Sequence, residues 1–382
     1  MAYSHLVSVI PILIMYAMWL PFLYYKKEFA LRPSKDTLLL LFFAGYCLLS
    51  TIWSDYPNIS AYSGTQYLSM IICTIIIMRR VELDTFLKGL SLGIFFVLLI
   101  PLFSGPESYQ YLFGSKNMVG FYSEIGVISA IFLLASAQSS LVQKLSFGIL
   151  PLLVSGLCLA VSHSVSSVIS TGTVLSICCA GFIIGKLPQS YRAIVLSLCL
   201  IGAASIAFCL YAFQIDIYGE ILDFFGKDRT LTGRTDLWKD GIGFAMNNPI
   251  LGNGYSAFWI QGRPAAEALW EEFYISTRSG FHFHNLFVQT WVDLGAIGLI
   301  TMATMIFAFC FKSMKLIISE GSSVTSVFLL SISLMFLTRS FVEVDILNAF
   351  GMGSFLFYSN IPRVFEKRNI SQEEPISLSK QL

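Results

Sequence analysis

Apolar stretches follow one another along almost the whole chain, divided by short polar turns, and only residues 213–285 break the pattern for long. The apolar runs fall near 5–25, 36–53, 60–78, 85–105, 117–137, 146–162, 165–185, 192–212, 286–311, 323–341 and 346–362, eleven in all. Most have the length that an α-helix needs to cross a hydrocarbon core ~30 Å thick. The expected fold is an all-α polytopic membrane protein. It places about eight spans in 1–212, a polar loop in 213–285, about three spans in 286–362 and a tail in 363–382.

Inside the polar loop the period changes to that of short surface helices. Leu237, Trp238, Ile242, Ala245 and Met246 share one helical stripe, which starts after Thr232 or Gly233 and stops at Asn247-Asn248-Pro249. Leu251-Gly252-Asn253-Gly254 predicts a tight turn. A second helix is expected from Pro264 through Ala265–Tyr274, with Leu269, Trp270 and Phe273 on its apolar side. Two such amphipathic helices at the membrane surface would form a lid over a cavity opening into the outer leaflet.

Composition agrees with a bilayer protein, since 55% of residues are hydrophobic and 12% charged. The net charge of +1 conceals a sorting by side. Every second short loop is basic: Lys26, Lys27, Arg32 and Lys35; Arg79, Arg80 and Lys88; Lys144; Lys186 and Arg192; Lys312 and Lys315; then a tail with Arg363, Lys367 and Arg368. The positive-inside rule puts these in the cytoplasm and the N-terminus and 213–285 loop outside. With Lys380, the cytoplasmic side holds sixteen Lys/Arg and eight Asp/Glu, against eight and fifteen elsewhere. An outer face acidic on balance, with cations at a few points, suits recognition of one anionic group and argues against nucleic acid as a partner. All 8 cysteines lie inside apolar runs and read as packing residues rather than a disulfide framework or metal site. The first run has no basic residue before it and no small-residue cleavage site after it, so it reads as a retained span. No repeat at a fixed period is visible, which counts against transporter folds built from duplicated halves.

The candidate chemistry gathers in and around the outer loop. Arg229 and Arg234 flank the turn that opens the first loop helix, where free N–H groups and a positive dipole end already favour an anion. They read either as a phosphate site or as contacts to lipid headgroups, Asp228 and Asp236. Arg263 and Arg278 are weaker candidates, with Glu267, Glu271 and Glu272 as competing partners. Lys116-Asn117 stands at the outer start of the fifth run, and Glu124 shares a face with Asn117. Arg339, Glu343 and Asp345 cluster at another outer helix end, where mutual pairing is the plain alternative to substrate binding. His284 opens the ninth run at the water boundary, where an imidazole can take a proton from a hydroxyl, and can also simply cap a helix. Gly295 and Gly298 would let a neighbouring helix approach that run closely. His282 is read as lying on a different side of the chain with a structural role, and His163 as able to reach the same cavity without acting there. No metal-ligand cluster is apparent from spacing.

Four blocks in order resemble the O-antigen ligase and polysaccharide polymerase family, most nearly the exopolysaccharide polymerases of the succinoglycan type. They are Gly114-Ser115-Lys116-Asn117 with Gly120; Thr230-Leu231-Thr232-Gly233-Arg234-Thr235-Asp236-Leu237-Trp238; Pro249 to Trp259; and His284-Asn285 with Gly295 and Gly298. The resemblance covers roughly 114–300. Ser115 stands where a histidine is expected before Lys-Asn, and eleven spans stand where twelve are usual.

The resemblance implies a metal-independent, inverting glycosyltransferase of the membrane-embedded GT-C type, with no cofactor. It would use a glycan on undecaprenyl diphosphate at the outer face of the bacterial inner membrane, alongside a chain-length regulator and a flippase of the same pathway. His284 would be the catalytic base, and Arg234, Arg229, Arg263, Lys116, Asn117 and Arg339 would bind diphosphate or glycan. The acceptor would be the next lipid-linked repeat unit in a polymerase, or a lipid A core sugar in a ligase. A transporter of lipid-linked sugars is the contrasting class, and it would place charges along a transmembrane path.

Overall fold

The computed structural model describes residues 13–19, 21, 35–105, 109, 113–136, 140–212 and 233–365. Its helices are α1 (Lys35–Leu49), α2 (Pro57–Arg80), α3 (Leu83–Ser104), α4 (Lys116–Ala135), α5 (Leu150–Val161), α6 (Val165–Lys186), α7 (Gln189–Ala212), α8 (Arg234–Asn247), α9 (Pro264–Glu272), α10 (Leu286–Glu320), α11 (Val324–Ser340) and α12 (Met352–Phe365). A π-helical segment, Lys144–Ile149, leads into α5. The fold is an all-α polytopic membrane protein, and among the described residues six helices are long and apolar enough to cross a membrane: α2, α3, α4, Leu141–Val161, α6 and α10. Nine of the eleven predicted runs coincide with helices to within several residues, the ninth in order starts as expected but runs longer, and most of the 5–25 run lies outside the described residues.

One predicted boundary is corrected. The ninth run was expected to end near 311, but α10 continues for 35 residues, so Lys312 and Lys315 extend the helix instead of sitting in a loop. At a rise of 1.5 Å per residue this exceeds what a bilayer core requires.

The bundle has two chemically different ends. At one, Arg192 donates to the Ile318 carbonyl at 3.2 Å and Arg363 to that of Val81 at 2.8 Å, so cations seal the helix termini. At the other end α8 packs against α10, and Arg263 ties the loop to Asp55 just before α2. Between the ends lies an apolar core in which Tyr67 and Tyr358 share a hydrogen bond of 2.6 Å. Among the described cysteines, Cys47, Cys73, Cys158, Cys178 and Cys310 are buried, while Cys179 and Cys199 face outward; these seven are free thiols.

The tight turn at 251–254 forms as expected, with Gly252 (φ 73) and Gly254 (φ 103) in conformations open to glycine. What it packs against corrects the reading of Gly295. That residue (φ 65) breaks α10, and an added Cβ would come within 2.1 Å of the Ile250 carbonyl oxygen. It therefore admits the loop backbone, not a neighbouring helix. The Ala296 amide donates to the Pro249 carbonyl at 2.8 Å, and the Asn253 and Gly254 amides donate to Val292 and Asp293 at 3.0 and 2.9 Å. Tyr255 then plunges into the bundle, 1% exposed, and donates to the Leu347 carbonyl at 2.5 Å.

Both loop helices appear, and together they build a small core of Leu237, Ala245, Phe258, Leu269, Phe283, Val288 and Val292. The inward stripe of α8 is shifted from the predicted one. Leu237, Gly241 and Ala245 face in because Gly241 lets Phe283 and Val288 close onto the helix, while Ile242 and Met246 are exposed. α9 stops at Glu272, and Tyr274 projects outward.

Candidate active site

The centre of the loop-bearing end is a carboxylate the sequence assigned to mutual pairing. Glu343 lies in the turn after α11 with its side chain 6% exposed. Its Oε1 accepts from Arg234 Nη2 at 3.0 Å and from Asn117 Nδ2 at 2.9 Å. Its Oε2 faces Nδ1 of His284 at 3.3 Å. Three sequence candidates from three distant segments thus meet on one residue. Burial opposes ionisation of Glu343, but the hydrogen bond with His284 and the charge of Arg234 hold it well below the usual carboxylate range.

Each partner is positioned by local structure. Arg234 is the first residue of α8, preceded by Gly233 in the left-handed region (φ 81), so it stands at the positive end of a 14-residue helix. It also donates to the Val342 carbonyl. Asn117 follows Lys116 at the start of α4, where Ser115 caps the helix by accepting from the Met118 amide. Asn117 Oδ1 accepts from Ser164 Oγ at 3.3 Å, which ties α4 to the start of α6. Asn285 caps α10, accepting from the Phe287 and Val288 amides at 3.0 and 3.1 Å.

His284 itself is left-handed (φ 48), a conformation that costs a non-glycine residue on the order of 1–3 kcal/mol and is typical of functional sites. Its amide donates to Nδ1 of His282 at 3.0 Å, and the two rings lie 4.2 Å apart. The expectation that His282 points to a different side is therefore corrected, because the left-handed residue folds the chain back. Burial, then the neighbouring His284, depress the His282 pKa to about 3, so it is neutral. The absence of a metal-ligand cluster is corrected as well: ligand atoms of His282, His284 and Glu343 all lie within 4.8 Å of one another. Sequence spacing shows only His-Phe-His; the third member arrives from 59 residues away.

Other candidates are placed elsewhere. Arg339 is 2% exposed and spent on a buried network: Asp345 at 2.6 and 3.2 Å, Glu124 at 3.3 Å, Ser167 at 3.1 Å and the Phe121 ring at 4.4 Å. The plain alternative of mutual pairing thus describes Arg339 and Asp345. Glu124 also accepts from Ser170 at 2.6 Å. Arg263 precedes α9 and donates to Asp55 at 2.9 Å, Asn253 at 3.0 Å and the Ala257 carbonyl at 2.6 Å, clasping the loop to the start of α2. Arg278 pairs with Glu267 at 3.0 Å. His163 is exposed in the turn before α6. Arg229 lies outside the described residues.

A family model described as O-Antigen ligase matches residues 150–303. The chain is also 35% identical over 370 residues to the exopolysaccharide production protein ExoQ of Rhizobium meliloti (strain 1021), across 94% of this chain and 83% of that protein. The chain belongs to the O-antigen ligase family. Membership in the O-antigen ligase family makes it a membrane enzyme of the polymerase or ligase type in exopolysaccharide assembly. The family match ends just beyond Gly298, so Glu343 and its turn lie outside the matched segment. Sequence reasoning missed that role for the same reason: an acid four residues from an arginine looks like its partner. Arg339 instead takes Asp345, and this frees Glu343 to turn toward His284.

Proposed function

We propose that the chain is a metal-independent, inverting glycosyltransferase that polymerises repeat units carried on undecaprenyl diphosphate, at the periplasmic face of the inner membrane. One observation supports this best: Glu343 holds the proton acceptor, His284, on one oxygen and the cation, Arg234, on the other. With Nδ1 of His284 donating to Glu343, Nε2 keeps the lone pair and can take the proton of an acceptor hydroxyl. Arg234 and the N-terminus of α8 can meet the negative charge that develops as the lipid diphosphate leaves. Attack on the face opposite the leaving group inverts the anomeric carbon. The single carboxylate and two imidazoles here offer too few oxygens for magnesium, which favours arginine over a divalent ion for the diphosphate.

The name of the relative favours the polymerase reading, since that protein is an exopolysaccharide production protein. The matched family model is described as a ligase, and this favours transfer to a lipid A core sugar as the second reading. Replacement of His284 by Ala tests the chemistry common to both. The variant should accumulate to normal levels and still bind the lipid diphosphate, while transfer falls by about 10²–10⁴. In cells, lipid-linked repeat units should build up unpolymerised. Normal polymer from His284→Ala would remove His284 as the base.

A further inference from the structure

Two imidazoles and a carboxylate converge where the proposed base stands, and the geometry suits an ion. We infer that His282, His284 and Glu343 form a binding site for zinc(II), and that zinc silences transfer by occupying the His284 imidazole. The silencing half rests on the reading of His284 as base; the binding half does not.

The donor set comes first. Two nitrogens and one carboxylate oxygen are a set zinc accepts, leaving a further position for water, whereas magnesium and calcium require mostly oxygen. Distances come next. Zinc bonds of about 2.0–2.1 Å in a tetrahedron put ligand atoms roughly 3.4 Å apart. His284 Nδ1 and Glu343 Oε2 already stand at 3.3 Å, and all three ligand atoms lie within 4.8 Å, so a rotation of the His282 ring that frees its Nδ1 from the His284 amide completes the site. Outer support is also in place, because Arg234 and Asn117 hold Oε1 of Glu343 and leave Oε2 for the ion. Access is open on one side, since the His284 side chain is 22% exposed against 6% for Glu343.

The nearby guanidinium works against the ion. A cation 3.0 Å from the same carboxylate weakens zinc binding, so the site is reversible rather than structural. That suits regulation: the ion competes with the proton for the imidazole and leaves when zinc is withdrawn.

The test uses the full chain purified into lipid nanodiscs. Cobalt(II) added to the wild-type protein should give the visible d–d absorption of a site with nitrogen and oxygen ligands, and zinc should displace it at one equivalent. Calorimetric titration with zinc should show one site in the wild type, weakened more than about tenfold in His282→Asn. That variant keeps an acceptor for the His284 amide and loses one ligand. Transfer with and without zinc is compared within each protein. The wild type should be inhibited and recover with chelator, magnesium should have no such effect, and His282→Asn should resist zinc. No cobalt absorption, or equal zinc affinity in His282→Asn, overturns the site. Stoichiometric binding with undiminished transfer overturns the silencing. An active His284→Ala enzyme, by contrast, defeats the base reading and leaves the binding result intact.

Discussion

Glu343 keeps its two oxygens on different tasks, one facing Arg234 and Asn117 and the other facing His284. Glu343→Gln preserves the shape and removes the charge that selects the useful tautomer of His284. Transfer should fall by roughly 10²-fold or more, with normal protein abundance and with donor binding less affected than turnover. Comparable losses of abundance and activity would mean that Glu343 only holds the fold. The same cluster sets an acid limit. His282 binds a proton near 6.5 when unfolded but only near 3 when folded, because burial and His284 disfavour its charge. Between those values the unfolded chain carries more protons, so stability is lost as pH falls through the window. Glu343 acts in the same direction at lower pH, since its depressed folded pKa makes its contribution vanish as pH drops below the carboxylate range. With chelator present, the melting temperature should fall between pH 6.5 and pH 4, and His282→Asn should flatten the upper part of that slope. An unchanged slope in the variant would assign the loss to other groups.

At the scale of elements, the break in α10 joins the polar loop to the bundle. Gly295 and Gly252 meet so closely that a Cβ on Gly252 would lie 2.5 Å from the Gly295 amide nitrogen, and both residues have positive φ. Gly252→Ala and Gly295→Ala should each destabilise the protein by at least about 1–3 kcal/mol, read as lower melting temperature, and each should reduce transfer because His284 begins the same helix. Wild-type stability in both would show that the turn and the helix are not seated on one another. This junction also shows where the sequence stops being legible. Gly252 announces a tight turn by composition alone. That Gly295 receives it depends on two segments more than forty residues apart, which periodicity does not register. The same limit explains α8: its apolar period was visible, but two faces are apolar, and only the partner at Gly241 decides which one turns inward. Likewise Arg234, Asn117 and His284 were legible as polar residues at helix starts, while the carboxylate joining them was hidden by a nearer cation.

For the molecule as a whole, the spans were legible because each needs only its own composition. The sidedness expected from the distribution of Lys and Arg can be checked directly. A reporter active only outside the cytoplasm should be active when fused after Asp240 and silent when fused after Lys315. The reverse pattern would move the His284 cluster to the cytoplasmic side and end the reading of a periplasmic transferase. The spliced helix carries one more consequence, for the order of assembly. Residues 292–296 complete their backbone bonding only with residues 249–254, which leave the ribosome earlier. The loop must be folded and waiting before α10 can close its first turns, so the segment that looks like an insertion serves as the template on which the last quarter of the chain is built.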